Sequence, residues 1–198
     1  MESLIHLDTQ ILLFINGHHS PFFDSLMLAI SSKFFWSPLY ALLIYFIFKE
    51  KKWYGFLTLI FVALTITASD QISVHAFKDV FMRLRPCHQP GVSPLLHMVK
   101  HCGGQYGFVS SHAANSFSVL AFLTFFFRHR NKYKWVKWVL WIWALLIIYS
   151  RVYLGVHYPG DVLGGAIVGY LIGLTIYYFY QLTEASIFKQ EGLKQDIG

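Results

Sequence analysis

The sequence SRVYLGVHYPGD, residues 150–161, places an arginine, a histidine and an aspartate at short spacing in a chain that is otherwise mostly apolar. Pro159 is tolerated in the first turn of a helix, so a helix is predicted to begin near His157. On that helix His157 and Asp161 share a face, where the carboxylate would accept a hydrogen bond from one imidazole nitrogen. The other nitrogen would be free as a nucleophile or base, and Arg151 would offer donors to a phosphate. The alternative is that His157 and Asp161 only cap a membrane helix.

The composition indicates an integral membrane protein. Apolar residues make up 56% of the 198 residues and charged residues only 13%, whereas a soluble domain carries about 25% charged residues. The formal charge of +6 lies in short clusters between apolar runs rather than in one patch, so no nucleic-acid partner is expected. No secretory signal is predicted, because the first 20 residues contain no Lys or Arg.

The apolar segments predict an all-α integral-membrane helical bundle with five transmembrane helices and an interfacial N-terminal helix. Residues 4–15 have helical periodicity but are too short to span a bilayer, so they are placed in the interface. A true span over residues 5–30 would raise the count to six. The first span is expected to join the two halves of residues 22–48 with a kink near Pro38. The other spans are predicted at residues 54–77, 113–127, 138–149 and 162–182, in a single domain over 1–198 with a polar tail at 183–198.

The distribution of cations predicts the topology. The loops after the first and third spans and the C-terminal tail carry most of the Lys and Arg residues, so the positive-inside rule places them in the cytoplasm. The N-terminus, residues 78–111 and residues 151–157 then lie together on the outer side. Four cations on that side break the rule and are expected to have another role: Lys78, Arg83, Arg85 and Lys100.

Gly165, Gly169 and Gly173 recur at four-residue spacing in the last span. Such a stripe of small residues lets another helix approach closely. Packing within the bundle is favoured over dimerisation, and the oligomeric state is left open.

Lys78 and Arg85 form a candidate anion site at the end of the second span. They are seven residues apart, nearly two helical turns, so both would lie on one face if the helix continued to Arg85. Their side chains would then converge on one anion, although both could instead reach out to the lipid headgroups. Asp70 lies inside the span, eight residues before Lys78 on the same predicted face, and an ionisable residue there is expected to support the site.

The third span begins with Ser110, Ser111 and His112. The first turn of a helix offers free N–H groups to an anion, although either serine could be a simple N-cap. His112 is expected to face outward near His157. Three cations around two histidines predict an anion between them, and a phosphate ester there would have His157 in line behind phosphorus.

These three motifs resemble the signature motifs of the phosphatidic acid phosphatase type 2 superfamily over residues 78–161. The family includes integral-membrane lipid phosphatases and soluble vanadium haloperoxidases and acid phosphatases. The order of the motifs and the internal spacing of the first and third match. The resemblance rests on Lys78-(six residues)-Arg85-Pro86, on Ser110-Ser111-His112 and on Ser150-Arg151-(five residues)-His157-(three residues)-Asp161.

The resemblance implies a role for each motif residue. His157 would attack phosphorus to form a phosphohistidine, with Asp161 orienting it. His112 would protonate the leaving oxygen and then activate the water that releases phosphate. No metal or other cofactor would be needed. The phosphate oxygens would be held by Lys78, Arg85, Arg151, Ser110 and the backbone N–H of Ser111.

The second motif departs from the usual family pattern Pro-Ser-Gly-His, because this sequence reads Val109-Ser110-Ser111-His112. The functional serine and histidine are retained. Ser111 is expected to adopt the backbone geometry of the missing glycine at some steric cost.

The short chain and its N-terminal pattern look most like undecaprenyl-diphosphate phosphatases. The expected activity is therefore removal of phosphate from this lipid at the periplasmic face of a bacterial inner membrane, with phosphatidylglycerophosphate and lipid A phosphate as alternative substrates. A transporter is disfavoured, because the charges gather on one side and no inverted repeat is apparent. A non-catalytic lipid-phosphate binder is disfavoured by the retention of His112, His157 and Asp161.

Cys87 and Cys102 lie in the outer loop and enclose His88, His97 and His101. In an oxidising compartment the two cysteines would form a disulfide worth about 3 kcal/mol. A zinc ion held by these cysteines and histidines, or two free thiols, are the alternatives.

Overall fold

The computed structural model describes residues 2–99 and 101–195, with side chains for residues 3–99 and 101–187. Lys100 and the last three residues of the tail therefore lie outside the described residues. The α-helices of the described ranges are α1 (Glu2–Gly17), α2 (Pro21–Ser31), α3 (Ser37–Lys51), α4 (Gly55–Gln71), α5 (Asp79–Phe81), α6 (Ser111–Phe126), α7 (Lys134–Tyr153) and α8 (Pro159–Gln195).

The all-α prediction is confirmed. A π-helical segment, Ile72–Lys78, joins α4 to α5, and across the described ranges the sole β interaction is an isolated bridge between Leu84 and Tyr106. The predicted second, third, fourth and fifth spans correspond to α4 with its π-helical extension, α6, α7 and α8. The polar tail continues α8 to Gln195.

Three segments are long and apolar enough to cross a membrane: Ser37–Phe81, Asn131–Tyr153 and Pro159–Ile187. Within the first, a left-handed turn at Lys52 (φ 49°) separates α3 from α4. A surface with this much apolar area is stable in contact with lipid rather than with water. The chain is therefore an integral membrane protein. The number of spans stays a prediction. Large apolar side chains exposed on these segments include Ile60, Ile142, Ile167 and Leu171.

The short N-terminal helix predicted over residues 4–15 is present as α1, whereas two other predictions for the N-terminal region are wrong. Residues 5–30 do not form one continuous helix, because Ser20 caps α2 and Pro21 occupies its first turn. The prediction of one kinked span over residues 22–48 is wrong as well, since α2 ends at Ser31 and a separate α3 begins at Ser37. Pro38 lies in the first turn of α3, where its missing N–H has no helical partner to lose.

The central helix of the bundle is α6, which contacts α4, α7 and α8. The glycine stripe of α8 packs directly on it. A Cβ added at Gly165, Gly169 or Gly173 would lie 2.5, 2.1 or 2.2 Å from a backbone carbonyl oxygen of Ser110, Ala114 or Ser118, respectively. Because only glycine allows this approach, the prediction of packing within the bundle is confirmed. The two helices run parallel, so the start of α6 lies beside the start of α8.

A group of ion pairs lies at the end of the bundle opposite to the starts of α6 and α8. Glu50, whose side chain is 5% exposed, pairs with Arg130 at 2.5 Å and with Lys132, and Lys51 pairs with Glu184 at 2.5 Å. Helices α4 and α7 lead away from this end, whereas α6 and α8 lead toward it. The end of α4, the start of α6, the end of α7 and the start of α8 therefore meet at the other end, and these are the places that carry the three motifs.

Candidate active site

The third motif folds as a turn between two helices. Helix α7 ends at Tyr153, Gly155 adopts a left-handed conformation (φ 68°), and α8 begins at Pro159. The helix begins near His157 with Pro159 in its first turn, as predicted, but His157 lies in the turn before the helix rather than on it. His157 and Asp161 still meet: His157 Nδ1 lies 3.5 Å from Asp161 Oδ2, and their side chains are 1% and 0% exposed.

The Asp161 carboxylate has closer partners than His157. Its Oδ2 accepts the backbone N–H of Tyr158 at 3.1 Å, and its Oδ1 accepts a hydrogen bond from Arg83 at 2.8 Å. The Arg83 guanidinium also lies 4.2 Å from the centre of the Tyr158 ring. Sequence reasoning singled out Arg83 only as a cation on the unexpected side of the membrane. That predicted departure from the positive-inside rule was the one signal in the sequence that set Arg83 apart.

Asp8 is a further residue next to Asp161, and the sequence analysis did not assign it to the site. Its carboxylate accepts hydrogen bonds from Arg83 at 2.6 Å and from the backbone N–H of Gly160 at 2.7 Å. In the sequence Asp8 is one polar residue of an amphipathic segment, and no local pattern separates it from a solvent-facing carboxylate.

The first motif does not lie on one helix face. The helix ends at Phe81 and Met82 turns left-handed (φ 45°), so the predicted continuation to Arg85 is wrong. A non-local strand-like contact replaces it, in which Arg85 N–H donates to the Gln105 carbonyl at 3.0 Å. The Arg85 guanidinium donates to the carbonyls of Tyr106 and Cys102 at 3.2 and 3.1 Å. The loop, rather than the helix, aims Arg85 at the site.

Lys78 reaches the second motif directly. Its Nζ donates a hydrogen bond to Ser111 Oγ at 2.6 Å. The π-helical turn between Asp70 and Lys78 changes the helical register, so the two residues do not follow the predicted α-helical spacing. Asp70 nevertheless lies within electrostatic range of Lys78.

Ser110 and Ser111 of the second motif form the start of α6. Ser110 is the N-cap residue, in an extended conformation, and Ser111 is the first helical residue. Among the described non-glycine residues only Lys52 and Met82 have positive φ, so the expected steric cost at Ser111 is wrong. Helical geometry is open to any residue, and no glycine is needed there. The Ser110 N–H donates to the Asp161 carbonyl at 3.0 Å, which ties the second motif to the third.

The three motifs converge on one pocket. His112 lies within electrostatic range of His157, Arg151, Arg85 and Lys78. Two buried polar atoms at this place have no hydrogen-bond partner: Ser110 Oγ and Arg151 Nε. Buried polar atoms are almost always hydrogen-bonded, so their concentration here fits a pocket built for a polar ligand. The other end of the Arg151 guanidinium donates to Ser31 Oγ of α2.

The charges of the pocket favour an anion and a neutral His157. Burial lowers the pKa of His157 well below its usual value of 6.5, and Arg85, Arg151 and Lys78 lower it further. A neutral imidazole keeps a lone pair on one ring nitrogen. With Nδ1 facing Asp161, the nitrogen available for chemistry is Nε2.

An apolar cavity opens beside this polar pocket. It has a volume of about 560 Å³ and extends from Ser111 and His112 between α2, α3, α4, α6 and α7. Asp70 lies on its wall near the polar end. The apolar residues that line it include Leu43, Ile47, Val62, Val119, Leu123 and Ile147.

Cys87 and Cys102 are joined as a disulfide in the structure, with Cα atoms 6.1 Å apart. His88 lies beside them, but sulfurs paired with each other are not free as zinc thiolates. His97 lies elsewhere, stacked on His19 at 3.6 Å and 2.9 Å from an Asp24 carboxylate oxygen. The Cys102 carbonyl accepts one of the hydrogen bonds of the Arg85 guanidinium, so the crosslink helps to position Arg85.

Replacing both cysteines with serine (C87S/C102S) is expected to lower the free energy of unfolding by about 3 kcal/mol, because the crosslink restricts the unfolded loop. Denaturant unfolding of the purified protein in detergent measures the change. A reductant should destabilise the wild type by a similar amount and leave the variant unaffected. Equal stability of the oxidised wild type and the variant would contradict the prediction.

The fold and the site together define a class: an all-helical membrane protein with histidines and cationic side chains gathered at one end of its bundle and an apolar cavity beside them. The chain belongs to the PAP2 superfamily, whose family profile matches residues 59–184.

Two curated relatives and one solved structure extend this result. A lipid A 4'-phosphatase of Bacteroides thetaiotaomicron is 41% identical over 90% of this chain and 79% of its own length. A lipid A 4'-phosphatase of Porphyromonas gingivalis is 33% identical over 91% of this chain and 75% of its own. The crystal structure of a transmembrane PAP2-type phosphatidylglycerolphosphate phosphatase from Bacillus subtilis shares the fold, with a TM-score of 0.66 at 24% identity, over 94% of this chain and 89% of that one.

Proposed function

We propose that this protein is a membrane lipid phosphatase that hydrolyses the phosphate monoester of a lipid A-type glycolipid through a phosphohistidine. The observation that carries the proposal is the junction at Ser111 and His112, where the cationic pocket meets the 560 Å³ apolar cavity. A phosphate in the pocket would leave the apolar part of the same molecule beside the cavity. An amphiphilic phosphate ester fits this arrangement better than a soluble one.

The proposed reaction gives each of the two histidines one role. His157 Nε2 attacks phosphorus and forms an N–P bond while the bond from phosphorus to the lipid oxygen breaks. Burial and the neighbouring cations lower the pKa of His112 to about 3 when no anion is bound. The negative charge of a bound phosphate opposes this effect, so His112 can carry the proton that it gives to the lipid oxygen. A water molecule then loses a proton to His112 and attacks phosphorus, which breaks the N–P bond and releases inorganic phosphate.

The cations supply electrostatic stabilisation in both steps. Charge builds on the equatorial oxygens of the phosphoryl group, and fixed donors stabilise it most in a pocket from which water is excluded. The groups placed to do so are Lys78, Arg85, Arg151, the Ser110 hydroxyl and the N–H groups at the start of α6.

The lipid A assignment replaces undecaprenyl diphosphate, which the sequence favoured. Both curated relatives reported above are named for lipid A 4'-phosphate, and they match this chain over nine-tenths of its length. The site is proposed to face the periplasm, because the cation distribution places it opposite the cytoplasm. The Cys87–Cys102 disulfide on the same side agrees with an oxidising compartment.

The test is phosphate release by the purified full-length protein in mixed micelles. Lipid A bearing a 4'-phosphate, undecaprenyl diphosphate and phosphatidylglycerophosphate are presented at equal surface concentration. We expect kcat/KM for the lipid A phosphate to exceed the others by roughly tenfold or more. A preference for undecaprenyl diphosphate would overturn the substrate assignment. Binding of all three without release would overturn the phosphatase and favour a non-catalytic binder.

A further inference from the structure

A series of ionic contacts leads from the N-terminal helix to the catalytic pair. Asp8 of α1 pairs with Arg83 at 2.6 Å, and Arg83 pairs with Asp161 at 2.8 Å. The side chains of Asp8, Arg83 and Asp161 are 13%, 27% and 0% exposed. Because these charges are largely shielded from water, their attraction is stronger than that of a surface ion pair.

Asp8 also binds the start of the helix that carries Asp161. Its Oδ1 accepts the Gly160 N–H at 2.7 Å, and a Cβ at Gly160 would lie 2.9 Å from Asp8 Oδ2. A carboxylate at a helix N-terminus is stabilised by the free N–H groups and the dipole. Helix α1 thus docks on the turn next to Asp161, through a glycine that leaves room for it.

Both oxygens of Asp161 are held by these surroundings. Arg83 directs Oδ1, and the Tyr158 N–H directs Oδ2. Oδ2 is also the oxygen that lies 3.5 Å from His157 Nδ1. If Arg83 were removed, the buried carboxylate would lose its charged partner and the constraint on its rotation.

We propose that Asp8 and Arg83 are positioning residues, which hold the Asp161 carboxylate in the orientation that His157 needs when it becomes phosphorylated. The inference rests on the proposed function. Attack by His157 places positive charge on its ring, and the two carboxylates and one guanidinium of Asp8, Asp161 and Arg83 together carry one net negative charge. The cluster therefore complements the charge that appears during the reaction.

The substitutions that test this are Asp8→Asn and Arg83→Gln, which remove charge at nearly constant size. We expect each to lower kcat by roughly 10- to 100-fold, because small misplacement of a reacting group has an effect of this order. KM should change by less than about twofold, since neither residue is placed to hold the phosphate. Asp8→Asn with Arg83→Gln should be little worse than Arg83→Gln alone, because the two residues act as one unit.

A matched control is available at the opposite end of the bundle. The Lys51–Glu184 pair has similar exposure, 21% and 18%, and Glu184→Gln removes one charge from it. This control should change the thermal midpoint about as much as Asp8→Asn and leave kcat unchanged. Arg83→Lys, which keeps the charge but bonds one carboxylate at a time, should recover part of the kcat lost in Arg83→Gln.

Three results would overturn the proposal. Asp8→Asn and Arg83→Gln enzymes with wild-type kcat would show that Asp161 needs no such support. If kcat fell in proportion to the thermal midpoint in all variants, including Glu184→Gln, Asp8 and Arg83 would have only a structural role. If the wild type itself hydrolysed no lipid phosphate, the proposed function would fail and this inference with it, whereas the first two results leave the phosphatase intact.

Discussion

His157→Ala is expected to lower kcat for phosphate release by roughly 10⁴-fold or more while the protein stays folded. The side chain is the only proposed covalent acceptor of the phosphoryl group, and loss of a catalytic nucleophile has effects of this order or larger. The cations of the pocket would still bind the substrate, so the loss should appear in kcat rather than in KM. Phosphate release under saturating substrate measures it, together with the thermal midpoint in detergent.

A control histidine separates chemistry from stability in that experiment. His18 is exposed and contacts Phe14 rather than the pocket, so His18→Ala should retain wild-type turnover. Normal turnover by a folded His157→Ala protein would refute His157 as the nucleophile. It would also leave the contact between His157 and Asp161 without a catalytic role.

Gly169→Leu is expected to have the largest effect on folding. A Cβ at this position would lie 2.1 Å from the Ala114 carbonyl oxygen, which belongs to the backbone of α6 and has no freedom to turn away. The helices must separate to admit the side chain, and overpacking of this kind costs about 1–3 kcal/mol or more. Because α6 carries His112 and α8 carries Asp161, separation would also spread the active site. A fall in the thermal midpoint and loss of activity in the surviving folded fraction are the expected results.

Gly17 provides the comparison for the glycine substitution. It also lies in a helix, but a Cβ there would meet nothing within 4 Å. Gly17→Leu should therefore leave the thermal midpoint close to that of the wild type. A Gly169→Leu protein as stable as Gly17→Leu would show that α6 and α8 pack less tightly than the structure has them.

Local patterns predicted the helices well where a single helix explains the apolar run. The predicted spans at 54–77 and 113–127 nearly match α4 with its π-helical extension and α6. Local patterns gave the wrong prediction where the boundary of a helix depends on one residue. Pro38 was read as a kink within one span, yet it occupies the first turn of a separate helix. A proline is compatible with both positions, and periodicity does not separate them.

The site was predicted in its residue types but not in its connections. Lys78 and Arg85 were expected to meet on one helix face, whereas Met82 ends the helix and a contact with Gln105 brings Arg85 back. The steric cost expected at Ser111 was absent, because the helix already begins there. In both cases the side chain lies near the other motif residues, although the local geometry predicted for it is wrong.

By itself, the sequence determined the membrane class, the all-α fold, the internal packing of the glycine stripe and the family resemblance of three motifs. These follow from composition, apolar periodicity and spacing within short segments. Only the tertiary structure brought Asp8 to Gly160 and Arg83 to Asp161, and only it formed the apolar cavity beside His112. The physical reason is distance along the chain, because these contacts join residues 152 and 78 positions apart. A single polar residue produces no repeating pattern in the sequence that would indicate its partner on another helix.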